Sequence, residues 1–300
     1  MTDSMPLRVA SAQYPIQFLN GWDHYARKIT DMVAAAAGQG AQLLVMPEYA
    51  AMELASLLPG KLRSRPAAQM AALQEYLAPF LELHQALARE HRIYILAGSF
   101  PVRLANRAYR NRAHLFAPDG SSDFQDKLQL TRYESEQQLL QPGDAIKVFE
   151  TGLGRIGVAI CYDSEFPLIV RRQTEAGAAL ILVPSCTDTL AGFHRVHVSC
   201  RARALENQCY VVQSPTVGEA AWSETVDVNV GCAGVFTPVD RGFPEDGVLA
   251  QGEMNIPQMV YADLHLEYIQ DVRSNGQVLN YRDWDRQTAI AAMELWTITL

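Results

Sequence analysis

Short, unbroken apolar runs recur along this chain with helix-patterned stretches between them. They are LRVASAQ from Leu7, AQLLVMPE from Ala41, RIYILAGSF from Arg92, RIGVAI from Arg155, ALILVP from Ala179 and CYVVQS from Cys209. An apolar run without polar alternation reads as a strand buried on both faces, and such strands need helices to cover them. The intervening segments supply those helices. In WDHYARKITDMVAAAAGQG, from Trp22, residues Ile29, Met32, Val33 and Ala36 fall on one helical stripe, with Gly38 as the stop. A helical stretch is predicted from Pro66 to His91, bent at Pro79, and others in PLIVRRQTEAG from Pro167 and RVHVSCRARALENQ from Arg195. One segment differs. From Asn111 to Leu130 two strands meet at Pro118-Asp119-Gly120, the signature of an antiparallel hairpin. The order predicts an α/β chain with mixed sheets, and with no linker or repeat it reads as one domain over residues 1–300.

Charge narrows the function. Lys plus Arg number 25 against 33 for Asp plus Glu, a formal net charge of -8. No basic excess is available to meet phosphates, so a general nucleic-acid or membrane-surface binder is disfavoured. No apolar run approaches the roughly 20 residues that cross a bilayer, and the first residues lack a secretory pattern. A cytoplasmic address is the expectation. Cys161, Cys186, Cys200, Cys209 and Cys232 are odd in number and lack CxxC spacing, which argues against a disulfide framework or a zinc site.

The chemistry is expected at strand ends. VAICYDSEFP, Val158 to Pro167, ends a buried run on Cys161 and follows it with Asp163 and Glu165. Carboxylates alone raise a thiol's pKa, so a nucleophilic Cys161 needs a cation and a proton acceptor from elsewhere. Lys127, within FQDKLQL, and Glu48, after LLVMP, are the candidates. Read singly, each is an ordinary solvated residue. Together they compose a nucleophile, an oxyanion holder and a general base.

In that order LLVMPEY, DKLQLTRYE and GVAICYDSEFP resemble the Glu-Lys-Cys signatures of the nitrilase, or carbon-nitrogen hydrolase, superfamily. RVASAQYP, the PDG before the lysine, the QPGD after it and RARALENQCYVV extend the likeness over most of the chain. The resemblance implies an α-β-β-α sandwich with two mixed sheets, pairing with a second subunit into a homodimer or higher homo-oligomer. The tail, about 275–300, would lie at the subunit interface. It implies no metal and no organic cofactor. Carried over by position, Glu48 is the base, Lys127 the oxyanion stabiliser, Cys161 the nucleophile and the Tyr162 N–H a second oxyanion donor. A second glutamate fixes substrate and lysine. Glu134 fits the K-L-x-P-T-x-x-E pattern, with Leu130 in place of its proline, and Glu136 fits other branches.

The implied substrate is a small-molecule carboxamide, with a nitrile or an N-carbamoyl amine as runner-up. In branches acting on N-carbamoyl amino acids, arginines shortly after the cysteine grip a carboxylate, whereas this chain has Glu165 there. Glu165 would then either repel anions and hold an amine, or cap the following helix. Cys186 is expected as a pocket wall. An N-acyltransferase and a non-catalytic binding module are the readings from other classes.

Overall fold

A computed structural model describes residues 5–300 of the 300-residue chain. The apolar runs form parallel strands. β1 (Leu7–Pro15), β2 (Leu43–Val45) and β3 (Tyr94–Arg103) lie side by side, and β3 continues into the antiparallel hairpin of β4 (Tyr109–Phe116) and β5 (Ser122–Asp126). The turn stands at Pro118-Asp119-Gly120, as the sequence predicts. A second group holds β6 (Val148–Thr151), β7 (Gly154–Val158), β8 (Leu180–Ser185) and β9 (Tyr210–Glu219), with β7, β8 and β9 parallel. Short β10 (Val228–Asn229), β11 (Gly234–Phe236) and β12 (Val248–Gln251) extend the β9 side, and β13 (Gln258–Leu264) pairs antiparallel with β1.

The two groups are not separate sheets, contrary to the sequence reading. Tyr14 and Pro15 at the end of β1 pair with Thr216 and Val217 of β9, giving one curled mixed sheet in the order β5-β4-β3-β2-β1-β9-β8-β7-β6. The curl brings Leu7, Leu43, Leu96 and Leu115 of one half into the same apolar cluster as Ile156, Leu180 and Val212 of the other. Each such side chain, fully buried, is worth about 1.5–3 kcal/mol.

Helices cover the outer faces. α1 (Trp22–Gly38) buries Tyr25, Ile29, Val33 and Ala36, a stripe with steps of four, four and three residues. α2 (Gly60–Arg63), α3 (Pro66–Leu73) and α4 (Leu77–His91) follow β2. The stretch from Pro66 to His91 breaks at the 3-10 turn Gln74–Tyr76 and not at Pro79. Pro79 falls in the first turn of α4, where a missing N–H leaves no helical bond unmade. Gln74 is built into that break, its Nε2 donating to the Met70 and Pro101 carbonyls at 3.0 and 2.7 Å. α5 (Arg132–Glu136), α6 (Pro167–Glu175) and α7 (Leu190–Asn207) belong to the second half. α8 (Leu266–Asn275), α9 (Asn280–Asp283) and α10 (Gln287–Ala291) close the chain, with Leu295, Trp296 and Ile298 exposed beyond them. Among the described residues no helix is long and apolar enough to cross a membrane.

Candidate active site

Glu48 stands just past β2, where the chain crosses β3 at close quarters. Gly98 has φ +73°, and a Cβ there would sit 2.1 Å from the Pro47 carbonyl oxygen, so only glycine lets the strands meet. The Tyr49 N–H then donates to Ser99 Oγ at 2.8 Å. Downstream, the 3-10 helix Ala50–Leu57 is moored by buried Glu53, which accepts from Tyr14 Oη (2.5 Å), Lys28 Nζ (2.5 Å) and the Gln17 N–H (2.6 Å). The backbone that presents Glu48 is thus held on both sides.

Lys127 follows β5, its N–H donating to the Asn111 carbonyl at 2.8 Å. Cys161 comes three residues after β7 as the first residue of the 3-10 helix Cys161–Glu165, with φ at +50°. A non-glycine residue in this left-handed region is strained, and such strain gathers at functional sites. The turn lifts the thiol off the sheet and leaves the N–H of Tyr162 in a first helical turn, where backbone donors lack intrahelical partners.

These three side chains meet. Lys127 Nζ lies 2.7 Å from Glu48 Oε1 and 2.8 Å from Glu134 Oε2, all with side chains at most 4% exposed. Glu48 also accepts from Asn111 Nδ2 at 2.8 Å and from the Cys186 N–H at 3.1 Å. The Cys161 thiol points toward the Cys186 carbonyl, 3.7 Å away, and interacts with the Glu48 carboxylate. Glu134 is the N3 residue of a capping box. Its Oε2 accepts from the Thr131 N–H (2.8 Å) and Oγ1 (2.9 Å), while Tyr49 Oη donates to its Oε1 at 2.6 Å.

One cation between two buried carboxylates leaves a surplus negative charge, and the surroundings divide the carboxylates' roles. Burial pushes the Glu48 carboxyl up, with Lys127 opposing. Burial would lift Glu134 too, but Lys127, Tyr49 and the Thr131 N–H outweigh it and hold that carboxyl below its ordinary range. Glu48 is therefore the residue suited to carry a proton, and Glu134 the fixed anion. Burial and then Glu48 raise the Cys161 thiol well above its usual value, against Lys127. Burial thus favours the neutral thiol, and the lysine's charge, engaged by two carboxylates, does not reverse that. A thiol in this state needs an adjacent base to become a nucleophile, and Glu48 is the carboxylate beside it.

Asp163 ties the assembly together. Its buried carboxylate accepts from the Leu128 N–H (3.1 Å), the Gln129 N–H (2.7 Å) and the Ile160 N–H (3.2 Å), joining the segment after Lys127 to the residue before Cys161. Burial pushes its pKa up to about 7, against those three N–H donors. A carboxyl with a higher pKa folded than unfolded binds its proton more tightly in the native state. Its contribution is full below the unfolded value and lost as pH rises through about 7. Between about pH 8 and pH 5 the wild type should gain roughly 2–3 kcal/mol relative to Asp163→Asn, measured by urea melts of both. A gap that moves the other way would mean that the N–H donors hold the group ionised.

The same cavity, about 360 Å³, is lined by Tyr162, Glu165 and Cys186 as well as the central four residues. Burial pushes the Cys186 thiol up to about 12 and its Sγ faces Asn229 Oδ1 at 3.4 Å, consistent with a wall residue. Glu136 is a correction. It sits on the exposed side of α5, paired with Arg132 at 2.5 Å, because two residues along a helix from Glu134 is the opposite face. The sequence reading does not reach Asn111 or Tyr49, and takes Asp163 only as a charge beside Cys161. Asn111 had a signal: it shares the buried face of β4 with Tyr109, Ala113 and Leu115, and a polar residue there needs a partner.

A family model described as carbon-nitrogen hydrolase matches residues 8–274. The chain is 32% identical over 280 residues to "Probable hydrolase YhcX" of Bacillus subtilis (strain 168), covering 93% of this chain and 54% of that protein. It thus spans about half the length of that relative. It is 26% identical over 288 residues to "Omega-amidase NIT2" of Danio rerio, covering 88% of this chain and 90% of that one. Among solved structures, Saccharomyces cerevisiae Nit3 superposes with a TM-score of 0.71 at 23% identity, covering 90% and 94% of the two chains. A variant amidase from Nesterenkonia sp. AN1, with the acetamide moiety of fluoroacetamide added covalently at its active site cysteine, gives 0.66 at 25% identity, covering 93% and 97%.

Proposed function

The chain belongs to the carbon-nitrogen hydrolase family, and from that premise we propose that it is a cysteine-dependent amidase. It would convert a small carboxamide to the acid plus ammonia through a thioester on Cys161. The observation that carries this reading is the Lys127 ammonium held between Glu48 and Glu134 beside the Cys161 thiol, inside one cavity.

In the proposed reaction Cys161 Sγ attacks the amide carbon as Glu48 takes the thiol proton. The oxyanion forms between Lys127 Nζ and the Tyr162 N–H. Glu48 returns the proton to the nitrogen, the carbon–nitrogen bond breaks and ammonia leaves. A water then attacks the thioester carbon, giving its proton to Glu48. The carbon–sulfur bond breaks, the acid departs and the thiol recovers the proton. Glu134 holds Lys127 in place through both stages. Omega-amidase and amidase relatives favour an amide over a nitrile. We place the enzyme in the cytoplasm. A second copy would cover exposed Leu168, Val198, Leu205, Trp296 and Ile298.

The test is ammonia release over matched amides, nitriles and N-carbamoyl amines, with Cys161→Ala as the blank. Cys161-dependent release from amides supports the reading. Release from nitriles or N-carbamoyl amines alone would replace it with those activities, and none from any class would favour a binding module.

A further inference from the structure

Glu165 is the one partly buried carboxylate of the cavity that the catalytic network does not use, and among the described residues no hydrogen-bond donor meets it. It ends the 3-10 helix that Cys161 begins, so backbone continuity fixes it near the nucleophile. Its side chain is only 20% exposed. The nearest cation, Arg195 Nε, is 3.7 Å away, beyond hydrogen-bond reach, on a side chain that is 63% exposed. Removing a carboxylate from water without supplying donors is unfavourable, and a ligand ammonium in the cavity would restore what is missing.

The mouth points the same way. Asp188 and Glu224 line it without an ion-pair partner among the described residues, and Asp227 accepts from the Val228 N–H at 2.9 Å and has no cation beside it. Arg132, also on the mouth, has its charge offset by Glu136 at 2.5 Å. Four carboxylates therefore face one loosely engaged arginine, and a negative charge on the ligand would meet repulsion.

We propose that the cavity selects carboxamides carrying a cationic group, an ammonium above all, at the end remote from the scissile bond, with Glu165 as the specificity-determining residue. This rests on the amidase reading. The natural counter-case is a substrate with a remote carboxylate, which this cavity disfavours.

The experiment compares three amides of matched length: γ-aminobutyramide (cationic), pentanamide (neutral) and succinamate (anionic). At low ionic strength kcat/KM should be higher for the cation than for the neutral amide by about fivefold or more, the lower bound for a unit charge pair near contact in water. The anion should be the poorest of the three. Added salt should compress the series. Glu165→Gln should lower the cation-to-neutral ratio, and Arg195→Gln should raise it by removing the competing charge. Near-UV circular dichroism checks that both variants fold. A flat or reversed series, or a ratio unmoved by Glu165→Gln, overturns the charge preference while hydrolysis of pentanamide keeps the amidase reading. No Cys161-dependent release from any of the three overturns both.

Discussion

Cys161→Ala should release no ammonia above the buffer background, a loss of at least about 10⁴-fold, the order expected when a covalent nucleophile is removed. The size follows from the geometry. In the proposed reaction the Lys127 oxyanion site and the proton that Glu48 returns to the nitrogen serve an adduct that forms only once sulfur has attacked. The same substitution should barely disturb the fold. It removes one buried atom, and alanine keeps the Cβ that already sits at φ +50°. Ammonia release and the thermal midpoint should therefore separate, the first vanishing and the second moving little. A variant that melts with the wild type and still turns over at the wild-type rate would remove Cys161 from the chemistry.

Lys127→Met should have the next largest effect, and on two observables. Losing one oxyanion donor slows acyl transfer about 100- to 1000-fold. This variant also leaves Glu48 and Glu134 facing each other, buried, with no cation between them. Breaking a buried ion pair by removing one partner typically costs about 3–5 kcal/mol. The pH dependence has a definite sign. In the wild type Lys127 holds Glu134 below its ordinary pKa, so that stabilisation is present above the unfolded value and lost as pH falls through the folded one. Without the lysine both carboxyls rise, the folded variant binds protons more tightly, and its stability declines as pH increases. Urea melts of both proteins should show a gap that widens between about pH 5 and pH 8. A constant gap would mean that the two carboxylates do not titrate against the lysine.

The strands were legible because β2, β3 and β8, β7 from Ile156 and β9 as far as Val217 are buried on both faces and read as apolar runs. β6 was not, since Val148, Phe149 and Thr151 are only half-buried on a sheet edge and carry no such signal. The break at Gln74–Tyr76 leaves no sequence signal because it depends on Gln74 reaching the Pro101 carbonyl on β3, a partner that helical periodicity cannot reveal. Glu48, Lys127 and Cys161 could be picked out as reactive types at strand ends. Glu134 could be told from Glu136 by Thr131-x-x-Glu134, a capping-box spacing that turns the first inward and leaves the second in water. Asp163 is different in kind. Its importance lies in N–H groups of Leu128, Gln129 and Ile160, and backbone donors from distant segments leave no mark in the letters.

The acylated enzyme itself is the decisive species. Wild-type protein mixed with a hydrolysable carboxamide, acid-quenched during turnover and weighed intact should gain the mass of the amide less ammonia, with the adduct on the Cys161 peptide. Cys161→Ala under the same conditions should gain nothing. An adduct on another residue, or steady ammonia release with unmodified Cys161 at every quench time and undiminished release from Cys161→Ala, would contradict the thioester.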